Sequence, residues 1–515
     1  MQTAPAGARL RQGPAGAVAA LLLVTALALA WAVTLGLPPP EGIGPFLTTV
    51  GIIAAWRYGW WLTHALRAAV YLRRVFPAIR RKADAAAPFP AVQVMVLSYD
   101  IPPAEFCAVY RALIRNAVDY GAQTTIIASV TAIADRARLE AVWRDCGAPP
   151  RVTILTQFQA GDGKRSAMAM AMRALARRAP APDTPVVFMD GDIVLRDGAL
   201  RGALSVLAAR PDIDAVTTNN DASVTGGHLV RQWYALRYAQ RHITMASMAL
   251  SSRLLVLTGR FSVFRARDAL DPGMIAAVAE DSIDHWRLGR FRFLSGDDKS
   301  TWLFLMRRGA RMLYVPDAWA TGFEALPKGG RVFAGTTDLM RRWFGNMLRA
   351  NSRALALGPR RMGLFTWWAL LDQRLSMWST LFGPVAAGLF ALTQSPLFLI
   401  YYATWALSTR SLMAGLSGLM WGRFDGSWPL LMYYNQVWGS ALKVYLTFRL
   451  DRQSWSRQAI TSSGSAAGLS RWSTRMMTAA ALASFVYAVT LMTSVMPMAG
   501  PAGLATLTLS PRSVP

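Results

Sequence analysis

The sequence predicts a mostly parallel α/β domain combined with α-helical transmembrane segments, and three observations carry that prediction. Hydrophobic residues make up 53% of the 515-residue chain and charged residues only 16%, against roughly 45–50% and about 25% in soluble proteins. Long uncharged stretches lie towards both ends. Between them, from 88 to 335, short β-rich runs alternate with helical patterns, as in 91–98 (AVQVMVLS), 124–130 (TTIIASV), 151–155 (RVTIL) and 185–190 (PVVFMD). Alternation of that spacing builds a parallel sheet covered by helices.

Residues 17–37 carry no charge and are long enough to span a bilayer. Arg9 and Arg11 precede them and Pro38-Pro39-Pro40-Glu41 follows. A cleaved signal peptide is the alternative, but its apolar region normally runs about 7–15 residues, and a second apolar stretch follows at 46–72. That stretch contains Arg57, His64 and Arg67 and ends in Arg73, Arg74, Arg80, Arg81 and Lys82. Basic flanks place both outer ends in the cytoplasm, so residues 1–82 read as N-terminal membrane helices. At the other end, 336–374 reads as interfacial amphipathic helices, 375–495 as membrane helices and 496–515 as a tail. A helical hairpin is expected to turn near Gln394-Ser395-Pro396, and a last uncharged stretch covers 476–495, for five spans. The segment 429–448 carries Asn435, Gln436 and Lys443. It either crosses or lies along the surface, and the surface reading leaves Arg449, Arg452, Arg457, Arg471 and Arg475 in the cytoplasm.

Lys and Arg number 55 against 29 Asp and Glu, a formal charge of +26. Nucleic acid, acidic lipid and an anionic substrate would all suit such a chain, and part of the excess is topogenic. The basic residues cluster at membrane flanks and form no recognised nucleic-acid module, which argues against nucleic acid. Two cysteines, Cys107 and Cys146, exclude a disulfide framework and a cysteine-based zinc site.

Four segments carry chemistry. Asp190-Gly191-Asp192 closes an apolar strand at the sheet edge where open α/β folds bind ligands. Two carboxylates about one glycine can share a divalent cation with a diphosphate; the alternative is a solvated turn. Gly161-Asp162-Gly163-Lys164-Arg165 opens a helical pattern, so amides and two cations can face phosphate oxygens. It is not a Walker loop, because Phe158 and Arg165 stand where that motif needs Gly and Ser or Thr. Ser295-Gly296-Asp297-Asp298-Lys299 gives a second acidic pair at a helix start, either a cap or a general base. Arg341-Arg342-Trp343-Phe344 begins a basic stretch running to Arg360 and Arg361, a cationic aromatic ledge that also suits lipid head groups. The lone His64, His228, His242 and His285 have no ligand spacing and read as packing or hydrogen-bonding residues.

In this order, Ser98-Tyr99-Asp100, Lys164, Asp190-Gly191-Asp192, Gly259-Arg260-Phe261-Ser262-Val263-Phe264-Arg265, Gly296-Asp297-Asp298 and Arg342-Trp343 resemble the processive inverting glycosyltransferases that include cellulose, chitin and hyaluronan synthases. Within them, Gln240-Arg241-His242-Ile243, His285-Trp286-Arg287-Leu288-Gly289-Arg290-Phe291, Trp343-Phe344-Gly345-Asn346 and Arg449-Leu450-Asp451-Arg452-Gln453-Ser454-Trp455 look like the catalytic subunits of bacterial alginate synthases, the mannuronan synthases.

The resemblance implies a cytoplasmic domain of the GT-A glycosyltransferase fold over 88–335 and a multi-pass protein of the bacterial inner membrane. It implies polymerisation of mannuronic acid from GDP-mannuronate onto a growing polysaccharide, coupled to export. Asp190 and Asp192 would hold the divalent cation, Mg²⁺ or alternatively Mn²⁺, and Asp298, with Asp297 beside it, would supply the base. Asp100, Lys164, Arg165 and Lys328 would bind the nucleotide side of the donor, and Arg342 and Trp343 the acceptor sugar. Further implied partners are a cyclic di-GMP-binding regulatory subunit, an envelope export complex and membrane lipid. Two departures stand out: Leu339 replaces the family's Gln three residues before Arg342-Trp343, and Ala132-Ile133-Ala134-Asp135 stands where a second acidic motif is usual. The competing readings are a membrane synthase using another nucleotide sugar, and a non-catalytic transporter or binding subunit.

Overall fold

The computed structural model describes residues 14–161, 163–292, 294, 296–451 and 467–495. Arg9, Arg11, Asp162, Ser295, the segment 452–455, Arg457 and the tail 496–515, all used in the sequence reading, lie outside the described residues.

Ten strands occur among the described residues: β1 Ala91–Leu97, β2 Gln123–Val130, β3 Val152–Phe158, β4 Pro185–Asp190, β5 Ile193–Leu195, β6 Ala215–Thr225, β7 Phe261–Arg265, β8 Ser282–His285, β9 Gly289–Arg292 and β10 Met312–Ala325. Eight of them form one sheet in the order β3-β2-β1-β4-β7-β6-β10-β5, and β8 and β9 pair as a hairpin. The pairings β2–β3, β1–β2, β1–β4 and β6–β10 are parallel. β7 runs antiparallel between β4 and β6, and β5 antiparallel on the β10 edge. The central strands are near-continuous apolar runs because helices cover both faces: Val92, Val94, Met95, Val96, Val186 and Val187 are fully or almost fully buried. β10 changes register between Val315 and Trp319, where Pro316 cannot donate to the ladder.

This topology places the chemistry. β1 and β4 are parallel, so Ser98 and Asp190 emerge at the same edge. β7 runs the other way and pairs Phe261 with Met189, which sets Gly259 and Arg260 level with Asp190. The Asp190 amide donates to the Gly259 carbonyl at 3.0 Å. The helix Asp297–Arg308 opens on two acids and closes on Arg307 and Arg308, the charge order its dipole favours.

The chain divides into two compact units. One holds His64–Asp372 with the residues from Arg449, and the other holds the segment up to Thr63, Gln373–Phe448 and the last helix. Two of the boundaries fall inside the helices Ile43–Val70 and Leu364–Thr393, and not at their ends. His64 and Arg67 explain the first: His64 Nδ1 hydrogen-bonds Ser247 Oγ at 2.9 Å, and Arg67 donates to Ser251 Oγ at 2.7 Å, both within the α/β unit. In the helical unit, Phe46, Phe382, Ala386, Phe398 and Val489 form a core. Arg410 is buried there and donates to Tyr58 Oη at 2.6 Å and Gln436 Oε1 at 3.1 Å.

Three helices among the described residues are long and apolar enough to cross a membrane: Ala15–Gly36, Leu364–Thr393 and Arg471–Thr493. The other stretches read as spans also form helices, Ile43–Val70 and Leu397–Trp421, with the connection at 394–396 as expected. Their interior Arg57, His64, Arg67 and Arg410 make them less apolar than those three. The ambiguous segment is the helix Trp428–Thr447.

Candidate active site

Asp190 and Asp192 flank a glycine that no other residue can replace without movement. A Cβ on Gly191 would lie 2.6 Å from the Leu97 carbonyl and from Ser98, because the Gly191 amide turns back to donate to that carbonyl at 2.9 Å. Gly259 is similarly crowded, its Cβ position lying 3.1 Å from Asp190 Oδ2 and 3.2 Å from Lys164 Nζ. The turn after β4 is thus pressed against the ends of β1 and β7, with its carboxylates aimed outward.

They face a cleft of about 410 Å³ whose lining includes Lys164, Asp190, Asp192, Arg260, Asp297, Asp298, Glu324, Arg342, Trp343 and Asn346. The two acidic motifs, far apart in sequence, meet through one ammonium: Lys164 Nζ lies 2.8 Å from Asp190 Oδ1 and 3.0 Å from Asp297 Oδ2. Burial pulls the Lys164 ammonium down, but the two carboxylates outweigh it and hold the group above its ordinary value. Asp297 is buried too, yet Lys164 and Arg165 keep its carboxyl below the usual range. Asp298 goes the other way, pushed up by burial and then by the Asp297 charge. Environments that drive neighbouring acids apart mark separate roles: Asp297 is an ion-pair partner, and Asp298 is the more basic oxygen.

Asp192 is pushed up to about 6, by burial first and by Asp190 second. Two carboxylates on one tight turn, both on the cleft lining, are a donor set that fits a divalent cation. Among the described residues no group of three or more His, Cys, Asp or Glu is arranged to hold a metal, so such an ion would take its remaining positions from water and diphosphate.

The opposite wall is aromatic and cationic. Trp343 stacks on Trp233 with centroids 5.8 Å apart and planes 14° apart. The Arg237 guanidinium sits 4.3 Å from the Trp343 ring centre and 5.0 Å from that of Trp233. At the strand edge, level with Asp190, Arg260 pairs with Glu324 and lies 5.2 Å from the Tyr238 ring centre. Burial draws Arg237 down to about 10, so its charge is held in low dielectric where cation–π attraction is strongest.

Comparison with known proteins gives the family of the chain. Residues 90–346 match the family model described as glycosyltransferase like family 2. Two curated relatives named Glycosyltransferase alg8 are similar along most of their length. That of Pseudomonas syringae pv. tomato is 40% identical, covering 86% of this chain and 91% of the relative. That of Azotobacter vinelandii is 39% identical, covering 87% and 93%. This chain is a family 2 glycosyltransferase. The resemblance to the alginate synthase catalytic subunits read from the sequence accords with these relatives. Among solved structures, a mannosyltransferase from Pyrobaculum calidifontis in complex with GDP-Man and Mn²⁺ is 17% identical with a TM-score of 0.43, covering 77% of this chain and 98% of its own.

The glycosyltransferase brings together Lys164, Asp190, Asp192, Asp297, Asp298, Arg342 and Trp343 on the one cleft. Arg165 also borders it but is turned inward: its guanidinium donates to the Leu294 carbonyl, to the Val278 carbonyl at 2.7 Å and to Ser300 Oγ at 2.8 Å. Those donors tie Leu294 and Val278 to Ser300 of the helix that begins at Asp297. Asp100 and Lys328 are not in the cleft lining. Asp100 is exposed at a φ of 50°, and Lys328, at a φ of 60°, lies 3.8 Å from Asp338. Leu339 is buried on the helix Val332–Leu355 and is not in the cleft lining. Asp135 pairs with Arg138 at 2.7 Å, away from the cleft lining. His242 is buried against Tyr314 Oη at 2.8 Å, and burial lowers it to about 4.

Arg237, Glu324 and Asn346 gained no role from the sequence. For Arg237 a signal existed: Trp233, Arg237 and Arg241 recur every four residues on the helix His228–Ala249, which puts them on one face.

Proposed function

We propose that this glycosyltransferase polymerises mannuronic acid from GDP-mannuronate into β-1,4-linked mannuronan, on the cytoplasmic face of a bacterial inner membrane, and couples synthesis to export. The observation that carries the reading is the single cleft in which Lys164 joins the strand-end acids to the Asp297–Asp298 pair. The relatives named alg8 point to alginate synthesis among polysaccharide synthases. An acidic donor suits a cleft to which Arg260 and Arg342 add positive charge.

In this mechanism Asp298 takes the proton of the acceptor hydroxyl as its oxygen bonds to the anomeric carbon and the bond to the diphosphate breaks. Direct displacement inverts the anomeric centre. Lys164, fixed by two carboxylates, offsets charge developing on the leaving diphosphate without reorganising. Asp190 and Asp192 would hold a divalent cation, Mg²⁺ or Mn²⁺, which would supply further charge neutralisation there. Trp343, braced by Trp233 and Arg237, offers a flat face to the acceptor sugar. A cyclic di-GMP-binding regulatory subunit and an envelope export complex complete the proposed assembly.

The test supplies membranes containing the chain and its regulatory partner with Mg²⁺ and one labelled nucleotide sugar at a time. Polymer from GDP-mannuronate that alginate lyase degrades is the expected result. Polymer from a UDP-sugar instead would assign the enzyme to another polysaccharide.

A further inference from the structure

A second cleft, of about 420 Å³, shares no lining residue with the catalytic one. Arg253 and Arg311 from the α/β fold and Arg360 and Arg361 from the segment after the helix Val332–Leu355 converge on it, with Phe365 and Thr366 on its wall. Its lining contains no Asp or Glu. Some of this charge is engaged: Arg311 pairs with Asp212 at 2.8 Å, Arg361 Nε donates to the Arg307 carbonyl at 2.8 Å, and Arg253 donates to the Gly309 carbonyl at 2.8 Å. Buried Arg253 Nε and Thr366 Oγ1 have no hydrogen-bond partner among the described residues, and buried polar atoms of that kind call for one. Behind the wall, Arg67 lies 3.7 Å from the Phe365 ring centre, a fifth cation.

The position of this cluster in the chain identifies the anion. Arg360 and Arg361 stand just before Leu364, the first residue of a 30-residue helix long and apolar enough to cross a membrane. Cations flanking such a span meet head groups, each worth about 1 kcal/mol on an anionic surface. Here two of the four come from elsewhere in the fold, so the basic groups form a built concavity with an apolar Leu364–Phe365 side. We propose that this cleft binds the phosphate of an anionic phospholipid.

The test uses the purified full chain in detergent, titrated with phosphatidylglycerol and with phosphatidylcholine, and read by native mass spectrometry. Phosphatidylglycerol is expected to bind at least tenfold tighter, the effect of roughly two engaged arginines. Arg360→Gln, at an exposed side chain, should cost about fivefold in that affinity while leaving the lipid-free melting temperature unchanged. Equal binding of the two lipids, or wild-type affinity in the variant, would overturn the proposal. Competing GDP and inorganic phosphate at millimolar concentration should not displace phosphatidylglycerol; displacement would reassign the cleft to a soluble phosphate and overturn the lipid source.

Discussion

The two walls of the catalytic cleft are built on opposite principles. On the strand-edge wall one lysine joins Asp190 to Asp297, and close backbone packing at Gly191 fixes the turn that carries Asp190 and Asp192. On the other wall, side chains from two helices hold one another by ring stacking and a desolvated arginine. In the proposed mechanism the first wall moves charge and protons and the second holds the acceptor sugar. The contrast teaches that changes to the acids should act on kcat and changes to the aromatics on acceptor KM.

Asp298→Asn breaks the comparison most sharply. Loss of a general base lowers kcat by about 10²–10⁴-fold, with donor KM nearly unchanged, and steady-state polymerisation rates measure both. Gly191→Ala comes next, because its Cβ would meet the Leu97 carbonyl at 2.6 Å. Overpacking of that kind costs about 1–3 kcal/mol, seen as a lower melting temperature together with lost activity. Arg237→Gln removes a cation that lies against both rings, worth about 0.5–2 kcal/mol; acceptor KM should rise about two- to thirtyfold with kcat retained. The pH profile gives the mildest effect. A base acts only when deprotonated, and burial and Asp297 raise the Asp298 carboxyl. The acidic limb of kcat should therefore lie above the ordinary aspartate range, and an acid limb at the ordinary value would remove Asp298 from the role.

The strand-edge wall was legible in the sequence because an apolar strand ending in Asp190-Gly191-Asp192 fixes both the edge and the direction of its acids. Lys164 and Arg165 were legible only as a pair. Neighbours on a helix point about 100° apart, so one faces the cleft and the other the core, and nothing local says which. The Trp233–Arg237–Trp343 stack needs two helices to meet, which no single segment encodes. The unit boundary inside Ile43–Val70 was hidden for a similar reason: the helical pattern continues unbroken across it, and only the partners of His64 and Arg67 reveal the change.

In the proposed mechanism adjacent acids divide the labour, Asp298 as base and Asp297 as the partner of Lys164. Steady-state kinetics of Asp298→Asn and Asp297→Asn, measured side by side with donor concentration varied, tests it most directly. The account predicts that Asp298→Asn loses kcat at near-normal donor KM. Asp297→Asn, which removes one of the two carboxylates that hold Lys164, should raise donor KM and lower the melting temperature. A kcat close to wild type in Asp298→Asn would contradict it.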